Sequence, residues 1–166
     1  VKGLITGDKN RVNFFALSVV PKEMKSMFTN YVLPEIEKSL KNKVVCKSIR
    51  TTGVPESILQ EKITDIIDAN KEKCDIAFLP HRMLGVDIRI TSPNAKLVDE
   101  LINTIVPRIK KYVYGFDEDK LEQVIADLLL KHNLTVSTAE SCTSGLLASR
   151  LTDVPGSSKY FKGGSV

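Results

Sequence analysis

Two short clusters of small hydroxylated residues carry most of the chemistry this sequence could do. The first is Thr138-Ala139-Glu140-Ser141-Cys142-Thr143-Ser144-Gly145. It lies where a strand-forming run, 134–138, gives way to a helix-forming one, and the spacing predicts a helix over 139–150. Backbone N–H groups at a helix N-terminus favour an anion, commonly phosphate, and small side chains let a ligand approach them. An ordinary N-capping run is the alternative reading of the same residues. The second cluster is Gly156-Ser157-Ser158, a turn. A serine on a turn becomes a nucleophile when a base lies beside it. The histidines are His81 and His132. His132 falls at a helix end, where a cation suits the dipole, and His81 in a hairpin turn, so both read as surface residues. A Ser-His-Asp arrangement is therefore weakly supported. A lysine can serve a serine as base instead, and Lys159 and Lys162 are close in sequence, with solvent exposure as their ordinary role.

Other chemistries are excluded or weak. There is no Walker loop and no dinucleotide fingerprint, and Gly3-Leu4-Ile5-Thr6-Gly7 is too short and lacks a flanking strand. No His, Cys, Asp or Glu spacing suggests a metal, and no cofactor is expected. Cys46, Cys74 and Cys142 form an odd, widely spaced set, which is neither a disulfide framework nor a zinc pattern. They read as small core residues in a reducing compartment. No apolar run approaches the ~18 to 20 residues of a membrane span, the opening residues lack a signal-peptide core, and the cytoplasm is the expected location. The chain opens with Val1 rather than methionine, so a piece of a longer protein is expected.

The net charge of +4 is uneven: 19 Lys and Arg face 13 Asp and Glu up to Gly115, and 5 face 7 beyond it. An excess this mild does not argue for nucleic acid. The densest basic stretch, Lys38, Lys41, Lys43, Lys47 and Arg50, reads as a solvated helix end and strand edge, with a phosphate-contacting patch as the sharper alternative.

The elements that must position these residues can be read from periodicity. A strand is predicted over 11–20, then a helix opened by Pro21, with an apolar face at Met24, Met27, Phe28, Tyr31 and Val32. Pro34 should kink or divide it. A strand over 44–51 and a turn, Thr52-Gly53-Val54-Pro55, lead into a helix whose Ile58, Leu59, Ile63, Ile66 and Ile67 face one way. A strand over 75–79 should stop at Pro80, followed by a hairpin through 80–83. The strand over 84–91 alternates, with Val86, Ile88 and Ile90 inward and Asp87 and Arg89 outward. A helix follows Ser92-Pro93 and should bend at Pro107. Residues 43–113 thus read β-α-β-β-α, an α+β module with two helices on one face of a small, mostly antiparallel sheet. A junction at 112–116 precedes a helix over 121–130, for which Asn133 is a natural C-terminal cap.

The run from Tyr112-Val113-Tyr114-Gly115 through Ala139-Glu140-Ser141-Cys142-Thr143 to Asp153-Val154-Pro155-Gly156-Ser157-Ser158 and Gly163-Gly164 closely resembles the start of the C-terminal domain of the CinA, or competence/damage-inducible, family. Arg50-Thr51-Thr52-Gly53-Val54-Pro55-Glu56-Ser57 resembles that family's KH-like middle module, and Val20-Pro21-Lys22-Glu23-Met24-Lys25 the end of its molybdopterin-binding-like N-terminal domain. The resemblance implies a slice with three parts: a remnant over 1–41, a KH-like α+β domain over 42–113, and over 116–166 the opening β-α unit of a three-layer α/β domain. In the family that last domain hydrolyses the amide of nicotinamide mononucleotide to nicotinic acid mononucleotide and ammonia, as a metal-free serine hydrolase with lysine as base.

Carried onto this sequence, the resemblance makes Ser158 the nucleophile and puts Ser141 in the same pocket. Thr143, Gly145 and Ser157 would line the side that binds substrate and phosphate. The family's catalytic tyrosine and lysine follow the Gly-Gly strand, beyond Val166, so this chain is expected to be inactive. Two departures stand out. Ser144 replaces a usual glycine, and Leu17-Ser18-Val19 replaces a Leu-Pro-Gly turn near a site the family links to ADP-ribose pyrophosphatase activity. The KH-like part lacks the Gly-x-x-Gly loop that clamps nucleic acid, so nucleic acid is disfavoured as a partner, no membrane is expected, and a homo-oligomer is left open. The competing reading is a KH-like nucleic-acid-binding or oligomerisation module without catalysis.

Overall fold

The computed structural model describes residues 4–7, 13–40, 43–81 and 84–166. These divide after Lys43 into two compact units. In the first, β1 (Leu4–Gly7) pairs antiparallel with β2 (Asn13–Ala16), Ile5 opposite Phe15. The strand expected over 11–20 is therefore shorter among the described residues; positions 11 and 12 lie outside them. It ends because Ser18 turns the chain: its hydroxyl accepts from the Val20 N–H at 3.2 Å and donates to Glu23 at 2.8 Å. A strand at Leu4–Gly7, too short to read alone, is stabilised by its partner. Next, α1 (Pro21–Met27) passes through a π-helical turn, Phe28–Val32, into α2 (Leu33–Ser39). The division expected at Pro34 takes this form because proline lacks an N–H and its ring crowds the carbonyl four residues back, and a widened turn relieves both.

The second unit begins with β3 (Val45–Thr51), α3 (Glu56–Asn70), β4 (Asp75–His81), β5 (Gly85–Ser92), α4 (Ala95–Ile109) and β6 (Val113–Phe116). The four strands form one antiparallel sheet in the order β4-β5-β3-β6. Its core joins one sheet face to α3 and α4. Ile49, Leu59, Ile63, Ile88, Ile90 and Ile105 are completely buried there. Asn94 caps α4 by accepting from the Lys96 and Leu97 N–H groups at 3.1 and 3.3 Å. Gly85 is required by shape: its φ is +133°, and a Cβ would sit 2.2 Å from the Thr51 carbonyl oxygen on β3.

Four expectations need correction here. Pro80 does not stop β4, which runs on to His81. β4 is an edge strand, where a missing N–H costs no ladder bond. Ile58 is exposed on α3 rather than part of its buried face. Asp87 does point away from the helices, but it is buried rather than solvated. Its carboxylate takes Arg50 Nε at 3.0 Å and His81 Nε2 at 2.8 Å. His81, read as a surface turn residue, is thereby a paired residue at the end of β4.

Beyond β6 a polar clamp sets the start of the last segment. Asp117, in the left-handed region at φ 46°, donates its N–H to the Ser48 carbonyl at 2.9 Å. Its carboxylate accepts from the Ser48 N–H at 2.8 Å. Arg50 Nη1 donates to the Asp117 carbonyl at 2.8 Å, and Asp119 caps the Phe116 N–H at 2.8 Å. Then come α5 (Leu121–Lys131), β7 (Val136–Ala139), α6 (Leu146–Thr152) and β8 (Phe161–Ser165). As expected, Asn133 ends α5 in the left-handed conformation, at φ 53°. β7 and β8 are parallel, and Ala126, Val154 and Tyr160 form a small core behind them.

Candidate functional site

Both hydroxyl clusters flank the parallel pair β7 and β8. The helix expected over 139–150 starts only at Leu146. Ser144 and Gly145 stand at φ 50° and 84°, conformations a right-handed helix cannot contain. Residues 141–145 are instead a turn closed by one side chain. Glu140 Oε2 accepts from the Leu147 N–H at 2.8 Å and from the Thr143 hydroxyl at 2.7 Å, and Oε1 accepts from the Ala148 N–H at 2.9 Å. Partial burial works against the charged form, but the Ala148 and Leu147 N–H groups and the Thr143 hydroxyl outweigh it and hold this carboxyl below its usual range.

This arrangement fills the anion seat at the N-terminus of α6 with the chain's own carboxylate. The Leu146 N–H is taken as well, by the Thr143 carbonyl at 3.0 Å. The donors left in the turn are the backbone N–H groups of Ser141, Cys142, Thr143 and Gly145, which have no partner among the described residues, and the exposed Ser141 hydroxyl. Glu140 is the residue whose part in closing this turn sequence reading passed over. It is the only charge in its cluster, and a carboxylate just ahead of a helix is itself a capping signal.

At the other cluster, Gly156 takes φ 85° and starts a 3₁₀ turn, Ser157–Lys159. The two serines differ. Ser157 is half-buried, and its hydroxyl leans toward the Thr152 carbonyl at 3.5 Å. Ser158 is exposed, and its hydroxyl has no hydrogen-bond partner among the described residues. Tyr160 anchors the turn: its ring is buried, its hydroxyl donates to the Leu151 carbonyl at 2.7 Å, and burial pushes its pKa up. Lys162 Nζ approaches the Lys159 carbonyl at 3.5 Å, and neither lysine reaches Ser158. His132 ends α5, exposed to solvent.

The strand register separates the two clusters. Val136 lies opposite Phe161 and Ala139 opposite Ser165. The Ser141–Gly145 turn therefore follows the C-terminal ends of the strands, and Val166 touches the space beside Gly145. The Ser158 turn precedes the N-terminal end of β8. Three residues of strand rise put the two at least about 10 Å apart. Ser141 and Ser158 are thus not brought into contact. Among the described residues no cluster of His, Cys, Asp and Glu could hold a metal, and no helix is long and apolar enough to cross a membrane.

Comparison with known proteins bears on both parts of the second unit. Residues 46–115 match the family model described as the damage-inducible protein CinA KH domain, and residues 118–166 match that of the CinA C-terminal domain. A CinA-like protein of Chlorobium phaeobacteroides (strain BS1) is 40% identical over 153 residues, covering 89% of this chain and 36% of that protein. One from Dictyoglomus thermophilum is 36% identical over 171 residues, covering 99% and 41%. One from Cytophaga hutchinsonii is 36% identical over 166 residues, covering 96% and 40%. The chain spans about two fifths of the length of these relatives.

Proposed function

This chain belongs to the CinA family, and on that premise we propose that residues 118–166 supply the nucleophile and part of the binding wall of a nicotinamide-nucleotide amidohydrolase. Nicotinamide mononucleotide and water would give nicotinic acid mononucleotide and ammonia. Ser158 is the nucleophile. Its Oγ attacks the amide carbon, its proton passes to a lysine base, the C–N bond breaks to release ammonia, and water frees the acid. The observation that carries this reading is the difference between the paired serines: Ser157 is turned inward, while Ser158 offers a free hydroxyl on a turn fixed by buried Tyr160.

The amide and the phosphate stand at opposite ends of this nucleotide. Ser158 serves the amide end, and the Ser141–Gly145 turn, with its unpartnered N–H groups and the Ser141 hydroxyl, serves the phosphate. Thr143 and Gly145 act through the backbone. Because no lysine reaches Ser158 among the described residues, binding should outlast turnover in this chain.

The test is ammonia release from nicotinamide mononucleotide, together with amide chemical shifts during titration with it, for the chain and its Ser158→Ala variant. Saturable shifts at residues 141–145 and 158 support the proposal whether or not ammonia appears. Turnover retained by Ser158→Ala, or no saturable shift at either cluster, overturns it.

A further inference from the structure

The face of the four-stranded sheet turned away from α3 and α4 has work that the amidohydrolase reading does not use. The registers lay out three rows across β4, β5 and β3: Leu79-Asp87-Arg50, Ala77-Arg89-Ser48 and Asp75-Thr91-Cys46. Arg89 is at the centre. It is half-buried, its Nε is cut off from solvent, and that Nε has no hydrogen-bond partner among the described residues. Its guanidinium makes no ion pair among the described residues. The nearest carboxylate along its own strand, Asp87, already has one oxygen on Arg50 and the other on His81.

A guanidinium nitrogen shut off from water without an acceptor is costly, and a partner from outside would relieve it. The flanks suit one. Ala77 on one side is short, and Ser48 on the other offers a hydroxyl with no hydrogen-bond partner among the described residues. A guanidinium presents paired N–H groups that match two oxygens of a carboxylate or phosphate.

We infer that Arg89 anchors a docking site on this sheet face for an acidic protein segment, whose Asp or Glu carboxylate it grips. The sign is set by Arg89 itself: Asp87 is committed to Arg50 and His81, so Arg89 is the cation of these rows that has no carboxylate partner among the described residues. The poverty of aromatic side chains selects protein over nucleic acid. Single-stranded nucleic acids are held on sheets by stacking bases on exposed rings. Among the described residues beside these rows the aromatic side chain is Tyr114, which is already engaged by Arg50 through its hydroxyl at 3.2 Å and lies under the guanidinium at 5.9 Å from the ring centre. Arg and Tyr side chains are also among those enriched at the centres of protein interfaces.

The full chain is titrated with a labelled deca-glutamate peptide and, separately, with a uridine decamer, while the Arg89 Nε–Hε resonance is followed by NMR. The peptide should shift that resonance. Arg89→Gln should weaken peptide binding about tenfold or more, whereas Lys111→Gln, an equal loss of charge elsewhere, should change it less than about twofold. Arg89→Gln should also keep or raise the urea midpoint, since it removes an unpaired donor. The inference fails if the oligonucleotide shifts Arg89 as strongly as the peptide, if neither does, if the two variants weaken binding alike, or if Arg89→Gln lowers the urea midpoint.

Discussion

Replacing Asp87 with asparagine keeps the shape of the buried side chain and removes its charge. The Asp87 side chain is 8% exposed and that of Arg50 18%, so neither is well screened by water. Breaking a fully buried pair by removing one partner costs about 3–5 kcal/mol. Arg50 retains two hydrogen bonds, to the Tyr114 hydroxyl and the Asp117 carbonyl, and some contact with water. These lower the expected cost to about 2–3 kcal/mol. The observable is hydrogen exchange of the Ile88 and Ile90 amides on the central strand β5, which report opening of the whole sheet rather than of its ends. A loss of that size accelerates their exchange by roughly 30- to 150-fold if they exchange through that opening. Arg50→Met and the double variant complete a cycle. The double variant should be less destabilised than the sum of the singles by about 1.5 kcal/mol or more, because a methionine no longer needs a counter-charge. Additive effects within about 0.5 kcal/mol, or a single-variant cost below that, would refute the view that Asp87 is buried as the counter-ion of Arg50.

Two further outcomes follow from the Ser141–Gly145 turn. Ser144→Gly should stabilise the chain by about 0.5–1 kcal/mol in thermal unfolding, because a residue with a Cβ is strained at φ 50° and glycine is not. Glu140 titrates below its ordinary range in the folded chain, so its contribution is complete above the unfolded carboxylate pKa and is lost as pH falls through the lower folded value. Protection of the Leu147 and Ala148 amides should fall on that acid limb and be low at all pH values in Glu140→Gln.

What was legible in the sequence was the part held by local pattern. The run of Val86, Ile88 and Ile90 gave β5 and its inner face, and the periodic leucines and isoleucines of 95–109 gave α4, because burial of a stripe or an alternating face fixes both type and orientation. What was not legible depended on partners distant in the chain. Asp87 reads as a solvent-facing residue until β3 brings Arg50 beside it from 37 positions away, and Leu4–Gly7 is a strand only because β2 pairs with it. At the candidate site the two serine clusters were visible as composition. Their separation was not, because it depends on β7 and β8 being parallel, and parallel register cannot be read from either strand alone.

That separation also bears on the meaning of Glu140. A helix N-terminus with three free N–H groups would be a strong phosphate seat, and α6 has the small flanking residues for one. Instead Glu140 spends both its oxygens on Leu147 and Ala148 and draws in Thr143. A second anion at those donors would meet a full negative charge at hydrogen-bond distance, so a phosphate cannot be held there without displacing Glu140. What the carboxylate provides is a closed loop. It pins both ends of 141–145 to α6 while its own N–H stays paired to the Ser165 carbonyl on β8. The remaining N–H groups of Ser141, Cys142, Thr143 and Gly145 are thereby held at the C-terminal edge of the strands with their ordering cost already met by Glu140. A ligand that binds them gains contacts without having to fold the turn.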